Sequence, residues 1–145
     1  MTSTNPSVPS GRAQAGGATW LYRISSGLAA LSLFLQSVTA GQFISDKHDH
    51  LAFTLHRTNA MIAAVLVIVV IVAAILMRVR ENGRMGRVWE SIALFVLVAL
   101  VIVAGFAKLT PLHIPLAVAI IAMSLGMAVT AWLPARTVQR ASFGE

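Results

Sequence analysis

The sequence predicts an all-α fold, a four-helix transmembrane bundle running up-down-up-down and built from two pseudo-repeated helical hairpins. Three observations carry the prediction. The 145 residues are 57% hydrophobic and only 11% charged, too little polar surface for a soluble domain of this size. The apolar residues gather into four stretches, each long enough for the ~20 residues that cross a ~30 Å hydrocarbon core. The basic residues sit at the ends of those stretches, as membrane topology requires.

Residues 1–18 are rich in Ser, Thr, Gly, Pro and Ala and carry no apolar run, which predicts a disordered tail. A cleaved signal peptide is not expected, because the first apolar stretch begins only near Trp20. The stretches run Trp20–Thr39, Leu51–Met77, Val88–Ala107 and Leu112–Leu133, placing a four-helix domain over residues 19–135 and a C-terminal tail over 136–145. The β-branched run from Val65 to Val72 would suit a strand in water. In lipid an open strand leaves its N–H and C=O groups unpaired, so a helix is expected. Gly41 and the segment from Asp46 to Asp49 are expected to break the first hairpin, with Asp49 capping the second helix. Arg78 to Gly86 forms a polar turn on the other side. Thr110 followed by Pro111 reads as a cap and a proline at the first helical position. Pro115 is expected in that same first turn and Pro134 just beyond the helix end.

Eight arginines, Arg12, Arg23, Arg78, Arg80, Arg84, Arg87, Arg136 and Arg140, flank one side of the spans, against Lys47, Arg57 and Lys108 on the other. That asymmetry places both termini in the cytoplasm of a multi-pass plasma (inner) membrane protein. It also accounts for the net charge of +6 without nucleic acid as a partner. The lipid bilayer is the expected environment. Trp20, Tyr22, Trp89 and Trp132 read as interfacial belt anchors. There is no cysteine, so disulfides, thiolate metal sites and cysteine nucleophiles are excluded. No phosphate-binding Gly-rich loop, nucleophile–base arrangement or pair of interior carboxylates is present.

The two hairpins resemble each other. Val38-Thr39-Ala40-Gly41 is followed by Leu55-His56 with Ala60, and Val103-Ala104-Gly105 by Leu112-His113 with Ala117. Gly41 follows Arg23, and Gly105 follows Arg87, by the same 18 residues. His56 precedes Arg78 by 22 residues and His113 precedes Arg136 by 23. At 1.5 Å per residue both histidines lie about 33–35 Å from the arginine anchors, near the outer edge of the bilayer. The second and fourth helices of an up-down bundle run in the same direction and can be diagonal partners. Two neutral imidazoles at one level can approach a single metal from opposite sides, and a gap wide enough for a porphyrin makes that metal a haem iron. Gly41 and Gly105 would let a flat macrocycle lie against backbone, and Arg57, Lys47 and Lys108 stand where propionates would emerge. The competing reading is two interfacial imidazoles that meet water and headgroups.

These residues resemble a family. The chain, over about residues 25–133, looks like one four-helix half of the haem A synthase family. The likeness rests on Leu55-His56-Arg57 with Ala60 and on Ala104-Gly105 followed by Leu112-His113 with Ala117. It implies that His56 and His113 are axial ligands of one haem b. The catalytic half of that family carries an acidic residue three positions before the second-helix histidine, where this chain has Phe53. The paired outer-loop cysteines and a second half are also missing. These departures argue against hydroxylase activity and leave the haem site standing.

The expected function is therefore a small membrane b-type cytochrome with one haem near the outer face, serving electron transfer or haem handling. It would be an oxidoreductase component, not an enzyme by itself, with quinol or a membrane redox partner. The alternative is a cofactor-free accessory subunit of a membrane complex. A channel or transporter fits less well with helices so poor in charge. His48 and His50, among Asp46, Lys47 and Asp49, form a weaker candidate for Zn²⁺ or Cu²⁺; on a loop such a run also reads as a solvated turn. Asn59, Gln36 and Ser37 are expected to bond between helices. Glu90 is expected to pair with a nearby arginine. The stripe Ala122, Gly126, Thr130 suits close packing inside the bundle or between copies in a homo-oligomer.

Overall fold

The computed structural model describes residues 15–46 and 49–133. Among these are four helices, α1 (Gly17–Ser45), α2 (His50–Glu81), α3 (Met85–Phe106) and α4 (Thr110–Trp132). All four are long and apolar enough to cross a membrane. Each packs against two neighbours in cyclic order, so α1 faces α3, and α2 faces α4, across the diagonals. The multi-pass bundle expected from the sequence is present. One end, the arginine end, holds Arg23, Arg84 and Trp132. The other, the histidine end, holds Asp49 and Lys108.

The exterior is largely apolar, with Leu28, Val65 and Val118 all exposed, as lipid demands. The interior is built from small and branched residues. Ala29, Ala63, Val67, Val70, Ala73, Ala74, Val98 and Ile120 form one cluster. Lipid tails are as apolar as these side chains, so close packing, not expulsion from water, holds such an interface.

Several boundaries differ from expectation. α1 does not break at Gly41 and continues to Ser45; one glycine costs a helix only about 1 kcal/mol. At its other end α1 starts inside the segment read as tail. Glu81, the last residue of α2, explains this start. Its carboxylate accepts from the N–H groups of Ala18 (2.9 Å) and Thr19 (3.1 Å) and from the Thr19 hydroxyl. These are orphan donors of a helix N-terminus. A Cβ on Gly16 would collide with that carboxylate. Asp49 caps α2 as expected, accepting from the Ala52 N–H at 2.8 Å.

α4 starts at Thr110 with Leu109 as its cap residue, and no side chain caps it. Thr110 is therefore the first helical residue, not the cap. Pro115 consequently falls in the second turn, where it leaves the Pro111 carbonyl without its helical donor. The α3–α4 connection is short because α3 ends in a Schellman motif. Leu109 N–H donates to the Ala104 carbonyl (2.9 Å) and Lys108 N–H to the Gly105 carbonyl (3.1 Å). The motif puts Lys108 at φ 57°, a region that penalises a Cβ. Lys108→Gly is expected to raise stability by about 1 kcal/mol, read as a higher thermal midpoint in detergent. A lower midpoint would show that the lysine side chain contributes something the turn geometry does not.

At the arginine end Trp20 and Trp132 meet edge to face at 5.4 Å. Both are about half exposed, as interfacial residues are. Tyr22 is not a belt anchor. It is 1% exposed, and its hydroxyl has no hydrogen-bond partner among the described residues. The Arg87 guanidinium lies 5.4 Å from its ring, and Glu90 pairs with Arg87 at 4.0 Å. Ala122 and Gly126 face outward, and a Cβ on Gly126 would meet nothing within 4 Å. Ala122 and Gly126 therefore do not serve packing inside the bundle, whereas Thr130 is hydrogen-bonded by Arg87 of α3.

Candidate functional site at the histidine end

His56 lies in the second turn of α2 and His113 in the first turn of α4. The two helices are diagonal partners, and both imidazoles are half-buried.

Each ring is held by its Nδ1 atom. His113 Nδ1 lies 2.8 Å from the Val101 carbonyl oxygen on α3. His56 Nδ1 lies 3.3 Å from the Gln36 carbonyl oxygen and 3.3 Å from Thr39 Oγ1, both on α1. A carbonyl can only accept, so Nδ1 carries the proton in each ring and Nε2 keeps its lone pair. Thr39 agrees with this assignment, since its own hydroxyl donates to carbonyls of α1 and its oxygen is left to accept. The two hairpins thus repeat one device. In each, a histidine on the second helix donates to the backbone of the first and leaves Nε2 uncommitted. Metal-ligating histidines are commonly oriented in this way, by a hydrogen bond from the nitrogen that does not bind.

The two glycines are not equivalent. A Cβ on Gly105 would sit 3.1 Å from Cε1 and 3.2 Å from Nδ1 of His113, whereas one on Gly41 would meet nothing within 4 Å. Gly105 therefore makes room for the imidazole itself. Gly105→Val is expected to push His113 off the Val101 carbonyl, while Gly41→Val leaves both rings in place. The ¹⁵N chemical shifts of the two histidine side chains check this, because they report which nitrogen is protonated. Equal effects at the two glycines would contradict the packing described.

Packing also changes at this end. Leu33, Val98 and Ile120 are the members of the buried core cluster that lie nearest the histidine end along α1, α3 and α4. Beyond them, towards the histidines, Ala52 and Ala104 are the buried hydrophobic residues among those described. Gln36, Thr39, His56, Asn59, Val101 and His113 are all only partly covered.

Asn59 joins α1 to α2 as expected. Its Nδ2 donates to the Ser32 carbonyl (2.8 Å) and to Gln36 Oε1 (3.0 Å), and its Oδ1 accepts from the Ser32 hydroxyl (2.8 Å). Ser37 does not take part; its hydroxyl donates to the Phe34 carbonyl of its own helix. Arg57 and Lys108 are exposed at this end.

No protein-family model matches the chain, and the comparisons with curated proteins and with solved structures found no match.

Lys47 and His48 lie outside the described residues. His50 is exposed, and no group of three or more metal-ligating side chains forms among the described residues. Sequence reasoning missed Thr39 and the carbonyls of Gln36 and Val101. A backbone carbonyl has no sequence signature. Thr39 had one, a hydroxyl two positions before Gly41 in the repeated segment.

Proposed function

We propose that this chain is a small b-type cytochrome of the plasma (inner) membrane, with both termini cytoplasmic and one haem b held near the outer face by His56 and His113. The observation that carries the reading is the repeated anchoring of the two imidazoles, each with Nδ1 committed to a neighbouring helix and Nε2 available. The residues present fit the group. Two neutral nitrogen donors stand on diagonal helices, the side chains around them are only partly covered, and Arg57 and Lys108 supply positive charge for carboxylates at the rim. Bound there, a haem supplies one-electron redox chemistry. The protein's part is to hold the ligands, keep Nδ1 protonated and shield the site from bulk water. The absence of an acidic residue at Phe53 favours electron transfer or haem handling over oxygenation.

The test is a visible spectrum of the protein purified from haem-replete cells. The expected result is an α-band that appears on reduction, with one haem per chain by extraction. Colourless protein would overturn the reading. A cofactor-free accessory subunit has no observation of its own in its favour.

A further inference from the structure

At the arginine end, α1 and α2 leave a groove of about 370 Å³ lined by Gly17, Ala18, Leu21, Leu76, Arg80 and Glu81. Leu21 lies four residues beyond Gly17 on α1, and Leu76 four residues before Arg80 on α2. Both leucines therefore stand about 6 Å deeper in the bundle at 1.5 Å per residue. The groove has a charged mouth and an apolar floor. Its charge is also unbalanced. Arg23 and Arg87 are committed to the carbonyls that end α4. Arg78, Arg80 and Arg84 are exposed, and their side chains make no hydrogen bond or ion pair among the described residues. Glu81, next to Arg80 in the chain, does not serve it. Its carboxylate accepts from the N–H groups of Ala18 and Thr19 and from the Thr19 hydroxyl, all on α1. Glu90, the other described carboxylate at this end, pairs with Arg87.

We propose that this groove holds one anionic phospholipid, with its phosphate on the Arg80 guanidinium and an acyl chain along Leu21 and Leu76. The groove opens between two lipid-facing helices, so the molecules that reach it are lipids, and charge selects among them. Water or a free anion would satisfy Arg80 and leave the apolar floor uncovered. A neutral lipid carbonyl would cover the floor and leave the guanidinium charge uncompensated. A zwitterionic phospholipid offers a phosphate but brings an ammonium towards Arg78 and Arg84, two and four residues from Arg80 in the chain. An anionic headgroup is attracted by all three arginines, and the planar fork of a guanidinium matches phosphate oxygens. The site lies at the opposite end from the histidines and requires no haem.

In the experiment the full chain, purified in detergent, is titrated with dioleoyl phosphatidylglycerol or dioleoyl phosphatidylcholine, and bound lipid is counted by native mass spectrometry. One phosphatidylglycerol per chain is expected to bind, at least about fivefold more tightly than phosphatidylcholine. Arg80→Gln should weaken it about fivefold, the usual worth of one basic residue facing anionic lipid. Gly17→Phe keeps every charge and fills the groove. A Cβ at Gly17 meets nothing within 4 Å, so the ring has room to lie there and should displace the lipid. Arg57→Gln, at the histidine end, should change nothing. Equal binding of the two lipids overturns the inference, as does undiminished binding in Arg80→Gln. Undiminished binding in Gly17→Phe, or an equal loss in Arg57→Gln, also overturns it, because either would mean diffuse attraction between charges and not a groove. Displacement of the lipid by millimolar inorganic phosphate would do the same, by showing that the acyl chain contributes nothing. If Arg80→Gln does not fold, Gly17→Phe carries the test.

Discussion

On the cytochrome reading, His56→Ala and His113→Ala are each expected to abolish the haem spectrum while leaving the bundle folded. Each histidine is hydrogen-bonded to a neighbouring helix through Nδ1 alone, and bonds between helices inside membranes average about 0.6 kcal/mol. Losing one is a small perturbation to a bundle held along its length by Ala29, Ala63, Val67, Ala73 and Val98. On the cytochrome reading each substitution also removes an axial ligand, which helix packing cannot replace. The two variants should differ in one respect. His56 also tethers α1 through the Gln36 carbonyl and Thr39, whereas His113 reaches only Val101. His56→Ala should therefore loosen the α1–α2 contact more, read as faster amide exchange around Thr39. An unchanged spectrum in either variant would show that the imidazole is not a ligand. A lost spectrum accompanied by unfolding would make its role structural.

The second large effect lies at the other end. α4 has no basic residue in its own last turn, yet its final carbonyls are bound by cations from two other helices. Arg23 of α1 donates from Nε to the Ala131 carbonyl at 2.9 Å, its guanidinium lying 5.5 Å from the Trp20 ring centroid and 5.2 Å from that of Trp132. Arg87 of α3 donates to the Thr130 carbonyl at 2.8 Å and to the Thr130 hydroxyl at 3.0 Å. Both arginines satisfy orphan carbonyls and complement the negative end of the helix dipole. Hydrogen bonds from charged donors contribute about 1.5–3 kcal/mol each when shielded, and less where water competes. The Arg87 contacts are exposed, so the lower part of that range applies. Replacing both arginines with leucine is expected to cost roughly 2–4 kcal/mol, measured as a fall in thermal midpoint in detergent. Arg87→Lys should recover only part of the loss, since an ammonium lacks the planar fork that reaches both Thr130 atoms. A double variant as stable as the parent would show that these contacts are ornamental.

The sequence made the helices legible because membranes impose one strong rule, that a spanning segment is long, apolar and helical. It blurred the ends, because a helix need not stop where the hydrocarbon does. α2 has 32 residues, about 48 Å at 1.5 Å per residue, and so must tilt or protrude. Tyr22 was misplaced for a related reason. Its position near the end of the first span suggests an interfacial ring, but which way a side chain turns depends on neighbours 65 or more residues away in the chain. Of the candidate site, the two histidines and their matched spacing were visible in the residues. Their anchoring was not, because the acceptors are main-chain atoms common to every residue. The separate duty of Gly105 was hidden likewise, since only the packed geometry sets His113 against it.

The contact between Glu81 and the start of α1 also bears on how the chain is made. A ribosome delivers Ala18 and Thr19 long before Glu81, so the opening turn of the first helix waits for its lid until the second has been synthesised and has crossed back. A chain halted within α2 is therefore expected to hold a first helix that still frays at its beginning.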